Sequence, residues 1–267
     1  MESKVKTEIR PGLGLASNLA IALLAFAGIV AMQLPRQQGA DVRMLDPELA
    51  EQQEAIQLEL IERLPTLGFD NLIADWAFLK FLIYFGDDQA RAKTNSYALN
   101  DDYFDLISKR DPRFTEAYLF ISTAVSFSQG KPEIAIELME RAIAAANPER
   151  DKRAYLLWRY KGIDKLLLLG DIPGSIRAHE MAAEWVKGTP DEALATPFQQ
   201  MAAFLKGNPN SENVRFWAWS DVYYNALNDK VRQKAEEELL KLGATKKVEP
   251  NGEVSFVRRR SESEDKQ

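Results

Sequence analysis

The chain has no cysteine and a single histidine, His179, in 267 residues. Without cysteine there are no disulfides, thiolate nucleophiles, zinc fingers or cysteine-ligated iron–sulfur clusters. One histidine cannot build a histidine cluster for a metal. Glu180 and Glu184 beside it are neighbours on a charged stretch, so no metal site is expected. Positive charge is not in excess either. The formal net charge is -6, which leaves no electrostatic footprint for nucleic acid. Gly12-Leu13-Gly14 lacks both the preceding strand and the lysine that a phosphate-cradling loop needs. No Gly-x-Ser-x-Gly elbow occurs. No cofactor is implied, and the chain reads as a non-enzyme.

The longest charge-free stretch lies near the N-terminus, between Arg10 and Arg36. Within it, Gly12 to Leu34 holds only Ser17, Asn18 and Gln33 as polar residues. As a helix it would span about 34 Å, enough for a hydrocarbon core of about 30 Å. Pro11 and Pro35 sit where such a helix begins and ends. The expectation is an uncleaved anchor in the lipid bilayer. A cleaved signal peptide, with Ala25-Phe26-Ala27 as its site, and a buried soluble helix are the competing readings. Lys4, Lys6 and Arg10 precede the span, whereas only Arg36 and Arg43 follow it closely. The positive-inside rule therefore places the N-terminus in the cytoplasm and the remaining chain on the opposite side.

Beyond the span the periodicity is helical, and strand alternation is absent until the C-terminal end. Asp46-Pro47 reads as an N-cap and first-turn proline of a helix running to about Arg63, stopped by Pro65 and Gly68. Asp70 to Phe85 is apolar on most sides, so it is either buried among neighbours or docked on a membrane. Asp75 within it needs Lys80 or Arg91 as a partner if it is buried. Further helices are expected over Tyr97–Lys109, Phe114–Gln129 and Pro132–Ala146, and a pair over Val214–Leu227 and Lys230–Leu242. Lys246 to Val257, with Asn251-Gly252 between, reads as a small hairpin, followed by a disordered tail from Arg258. The layout is thus a tail (1–11), a transmembrane helix (12–34), a linker and first helix (35–68), a helical domain (69–243), and a hairpin with tail (244–267).

Two stretches match each other at a separation of 40 residues. In the first, Gly130 makes a turn, and Ala135, Met139 and Ala142 follow as small, bulky and small residues. In the second, Gly170 turns the chain, and Ser175, His179 and Ala182 take the same places. Trp158, Gly162 and Leu166 stand in the preceding helix. Small residues let paired helices approach closely while the bulky one fills the gap between turns. This pattern resembles the tetratricopeptide repeat, whose usual period is about 34 residues. The resemblance is clearest over Phe114–Gly188 and extends over Phe69–Gly243 if looser copies are counted. It implies an all-α fold of antiparallel helix pairs, an α-solenoid, with a concave face that holds protein partners.

In the register of that family, the lining positions map onto Phe120, Ala124 and Phe127 in the first copy. In the second they map onto Tyr160, Asp164 and Leu167. An aromatic–aliphatic groove with one carboxylate suits an apolar peptide carrying a basic residue. The alternative is that neighbouring helices, above all Asp70–Phe85, cover these side chains. His179, on an inward position, reads as a packed structural histidine in preference to a general base. Asp87-Asp88 and Asn100-Asp101-Asp102 read as turn and cap residues. Phe216, Trp217, Trp219, Tyr223 and Tyr224 form a core stripe or, alternatively, a binding or membrane-interface surface. The expectation for the whole chain is a membrane-tethered protein-interaction scaffold that assists assembly or stability of a membrane complex. A permanent accessory subunit, and a lipid-binding protein or enzyme using the aromatic helices as a pocket, are the alternatives.

Overall fold

The computed structural model describes residues 46–207, 210–250, 252 and 254–258, and five positions further upstream: Ala20, Leu23, Leu24, Phe26 and Ala27. Those five are helical; the rest of the span 12–34, and the tail from 259, lie outside the described residues. Among the described residues no helix is long and apolar enough to cross a membrane. The chain divides into two compact units, Met1–Glu54 and Ala55–Gln267, and the divide falls inside the first complete helix. That helix, α1 (Pro47–Arg63), starts where expected. The Asp46 carboxylate accepts from the backbone N–H of Glu48 and of Leu49, each at 3.1 Å, beside the first-turn proline.

The larger unit is all-α apart from one hairpin. Leu67 and Gly68, both at positive φ, turn the chain into α2 (Asp70–Gly86). Its inner face, Ala74, Ala77, Phe81 and Tyr84, packs on α4 (Asn100–Arg110). The alanines bring the backbones close, and Phe81 meets Phe104 edge-on at 4.8 Å. Arg110, at the end of α4, donates to the carbonyls of Ile61 (3.1 Å) and Glu62 (2.6 Å), satisfying the last turn of α1. Between α2 and α4 lies α3 (Asp88–Thr94), a short helix that periodicity did not reveal. Asp87 caps it by accepting from Ala90 N–H at 3.0 Å.

The expected straight helix Phe114–Gln129 is instead a 3₁₀ turn (Ala117–Phe120) followed by a π-helical segment (Ser122–Phe127). Widening follows from local bonding: both the backbone N–H and the hydroxyl of Ser128 donate to Thr123 O, five residues back, at 3.0 and 2.9 Å. The Ala124 carbonyl then accepts from the Asn100 side-chain amide at 2.8 Å. After Gly130, at φ 63°, comes α5 (Pro132–Ala145). The second copy repeats this scheme. Helix α6 (Tyr155–Asp164) runs into a π segment (Lys165–Leu169), Gly170 turns at φ 68°, and α7 (Ile172–Trp185) follows. All six matched positions, Ala135, Met139, Ala142, Ser175, His179 and Ala182, are buried.

An unforeseen helix, α8 (Ala195–Gly207), packs on α7. Then α9 (Glu212–Asn225) and α10 (Asp229–Lys241) form the expected last pair, with Asn228 capping α10 through Val231 N–H at 3.0 Å. Strands β1 (Ala244–Val248) and β2 (Val254–Arg258) pair antiparallel, Lys246 opposite Phe256, as the expected hairpin. Arg258 therefore ends a strand instead of opening the tail. A lone hairpin is marginal in water; here Phe256 packs on Tyr223 at 4.8 Å and joins the cluster of Trp219 and Leu239.

Candidate partner-binding surfaces

The six positions mapped onto a groove are found inside or at the edge of the packing. Ala124 and Asp164 are fully buried, and Phe120, Phe127, Tyr160 and Leu167 are half-buried. Phe120 lies against Phe78 and Phe81 of α2, at 5.8 and 6.1 Å between ring centres. Tyr160 packs on the same cluster, whereas Phe127 and Leu167 pack on the cluster of α9 and α10. The two copies are joined by a hydrogen bond from the Ser126 hydroxyl to the Asp164 carboxylate. The second carboxylate oxygen has no hydrogen-bond partner among the described residues. Burial pushes the Asp164 carboxyl up to about 6, against the opposing pull of the Ser126 and Ser122 hydroxyls.

Two helices instead turn large apolar side chains to solvent. On α2, Leu72, Leu79 and Ile83 are 64, 60 and 64% exposed, on the side away from Phe81. Trp76, half-buried, lies on the same side, and exposed Asp75 borders it. On α9, Phe216, Trp219 and Tyr223 point inward, and Trp219 Nε1 donates to Leu168 O at 3.0 Å. The outward side carries Val214, Trp217, Asp221 and Tyr224, with Trp217 64% and Tyr224 57% exposed. The Tyr224 hydroxyl donates to Val254 O at 3.3 Å, which fixes that ring beside the hairpin. The aromatic concentration on α9 is thus both a core stripe and a surface. Isolated exposed apolar residues are ordinary, but rows of large ones on a single helix face mark contact sites.

The residues weighed as chemistry carriers have structural partners. His179 is buried, its Nδ1 lies 2.8 Å from Ser175 O, and burial lowers its pKa. The ring stacks where Gly162 leaves room: a Cβ there would come within 2.8 Å of it. Asp101 accepts from Gln129 and Lys131, both at 2.6 Å, and Asp105 from Arg141 at 2.8 Å. No group of three or more metal-ligating side chains occurs among the described residues. Asp75, being exposed, needs no partner, and Arg91 instead stacks over the Tyr84 ring at 3.7 Å. Sequence reasoning missed Leu72, Leu79 and Ile83, although their signal was present in the spacing of apolar residues along α2.

No family model matches the chain, and neither a curated protein nor a solved structure matches it. Site chemistry therefore has to carry the functional reading.

Proposed function

We propose that the chain is a membrane-tethered protein-interaction scaffold that assists the assembly or stability of a membrane protein complex. The observation that carries this reading is the outward face of α9. Trp217 and Tyr224 stand exposed about Asp221, on a helix held from behind by Trp219 and Tyr223. Aromatic side chains on a rigid helix lose little conformational entropy on binding, and such residues dominate interface energies. The carboxylate between them sets the chemistry of the occupant, an apolar segment of a membrane subunit carrying a lysine or arginine.

The tetratricopeptide-like match of Ala135, Met139 and Ala142 with Ser175, His179 and Ala182 supports a stacked array of helix pairs, a fold suited to holding proteins. The apolar span Gly12–Leu34 supports a single-pass anchor with the helical domain outside the cytoplasm. Tethering beside a bilayer raises the effective concentration of membrane-bound partners, so a modest contact surface suffices.

Trp217→Ala with Asp221→Arg tests this reading, because both side chains are exposed and the hydrogen bond that the Asp221 carboxylate accepts from Asn225 lies within α9. From detergent-solubilised membranes, the wild-type chain is expected to co-purify with a discrete set of membrane subunits. The double variant, shown by circular dichroism to be as helical as wild type, is expected to lose them at least tenfold. Equal recovery of the same subunits would refute the assignment of this face.

A further inference from the structure

We propose that two copies of this chain associate through α2 as a short, parallel, two-stranded helix pair. Phe69, Leu72, Trp76, Leu79 and Ile83 recur at intervals of three, four, three and four. That alternation is the seam of a left-handed helix pair, in which each apolar knob fits a hole in the facing helix. The opposite side of α2 is already packed on α4, so the seam faces outward on a helix that cannot rotate to hide it.

The bordering charges select the occupant. With Leu72 and Leu79 at the d positions and Trp76 and Ile83 at the a positions, Asp75 falls at g and Lys80 at the next e. In a parallel pair, g of one helix faces the following e of the other, five residues on. Asp75 of each copy therefore meets Lys80 of the other, twice by the twofold axis, in addition to the interaction Lys80 makes within its own chain. An antiparallel pair would set g against g and bring Asp75 to Asp75 or to Leu82, losing both ion pairs. A lipid surface is a poorer occupant, since the stripe is one side chain wide and a carboxylate borders it. The pairing stands on α2 alone and is independent of the partner surface on α9.

The absence of cysteine makes the test direct, because an introduced thiol is the only one present. Leu72→Cys, Leu79→Cys and, as a control, Glu133→Cys on exposed α5 are placed singly in the full-length chain. Each is reconstituted in phosphatidylcholine vesicles and oxidised with copper phenanthroline. Disulfide-linked dimer is expected to form at least tenfold faster at the two seam positions than at Glu133. In the Leu79→Cys chain, Asp75→Lys is expected to slow cross-linking about fivefold, and adding Lys80→Asp to restore it. All these positions except Lys80 are exposed, and circular dichroism of each variant checks its helix content. Equal rates at all three thiols overturn the proposal, as does a charge exchange that leaves the Leu79→Cys rate unchanged. A Leu79→Cys thiol that is shielded from a water-soluble maleimide yet never cross-links also overturns it, and would point to lipid or another protein.

Discussion

Asp164 is the residue most at odds with its surroundings, a fully enclosed carboxyl bonded to one serine hydroxyl. Its ordinary value of 3.8 is pushed up to about 6 by burial. An acid whose pKa is raised by folding stabilises the native state least where both states are ionised. Below about pH 4 both forms are neutral and there is no penalty. Between about 4 and 6 the unfolded chain ionises first, so stability falls as pH rises, and above 6 the full cost of about 3 kcal/mol applies. Asp164→Asn is therefore expected to stabilise the domain by up to about 3 kcal/mol at pH 8 and to change little at pH 4. Urea melts at the two pH values check this, and equal stability changes at both would exclude the assigned ionisation. At Gly162 the constraint is space. Gly162→Ala forces a Cβ to within 2.8 Å of the His179 ring and 3.2 Å of the Ala178 Cβ. The expected loss is about 1–3 kcal/mol, largely recovered when His179→Ala is added. A chemical-denaturation cycle of the four proteins reads that coupling.

Among elements, those with a strong pattern were readable and those fixed by distant bonds were not. Asp46-Pro47 announced α1 and Asn251-Gly252 announced the hairpin, because caps and tight turns are local chemistry. The π segment Ser122–Phe127 was unreadable, because it depends on Ser128 and on Asn100 from another helix. Helix α8 was hidden by Pro197 and by the loop-like Thr189-Pro190 before it. In the first turn, however, a proline removes no helical hydrogen bond, so Pro197 is tolerated there. Seven residues of α3 were too few to display a period. The groove register named side chains that divide between two packed clusters, Phe120, Ala124 and Tyr160 with α2 and Phe127 and Leu167 with the last helix pair. The exposed faces lay instead on α2 and α9, where apolar density was plain and only its direction was missing. At the element scale, Ala142→Trp is expected to destabilise by about 1–3 kcal/mol or more, since Ala142 is fully enclosed in the cluster of α4, α5 and the 117–127 segment. A thermal melt at the wild-type midpoint would show that Ala142 lies at no close helix contact.

The whole molecule combines an apolar N-terminal sequence, Gly12–Leu34, with a helical domain that has two outward apolar helix faces. Among the described residues, the outward faces of α2 and α9 carry rows of large exposed apolar side chains. Under the proposed tether both faces would gain from confinement, since an anchor raises the local concentration of a membrane partner and of a second copy. The central claim of the proposed function is the tether, and membrane partition of the full-length chain tests it most directly. The account predicts that the chain sediments with membranes and stays there after alkaline carbonate extraction, while a variant lacking residues 12–34 is released as a soluble helical protein. Recovery of the full-length chain in the soluble fraction without detergent would contradict it.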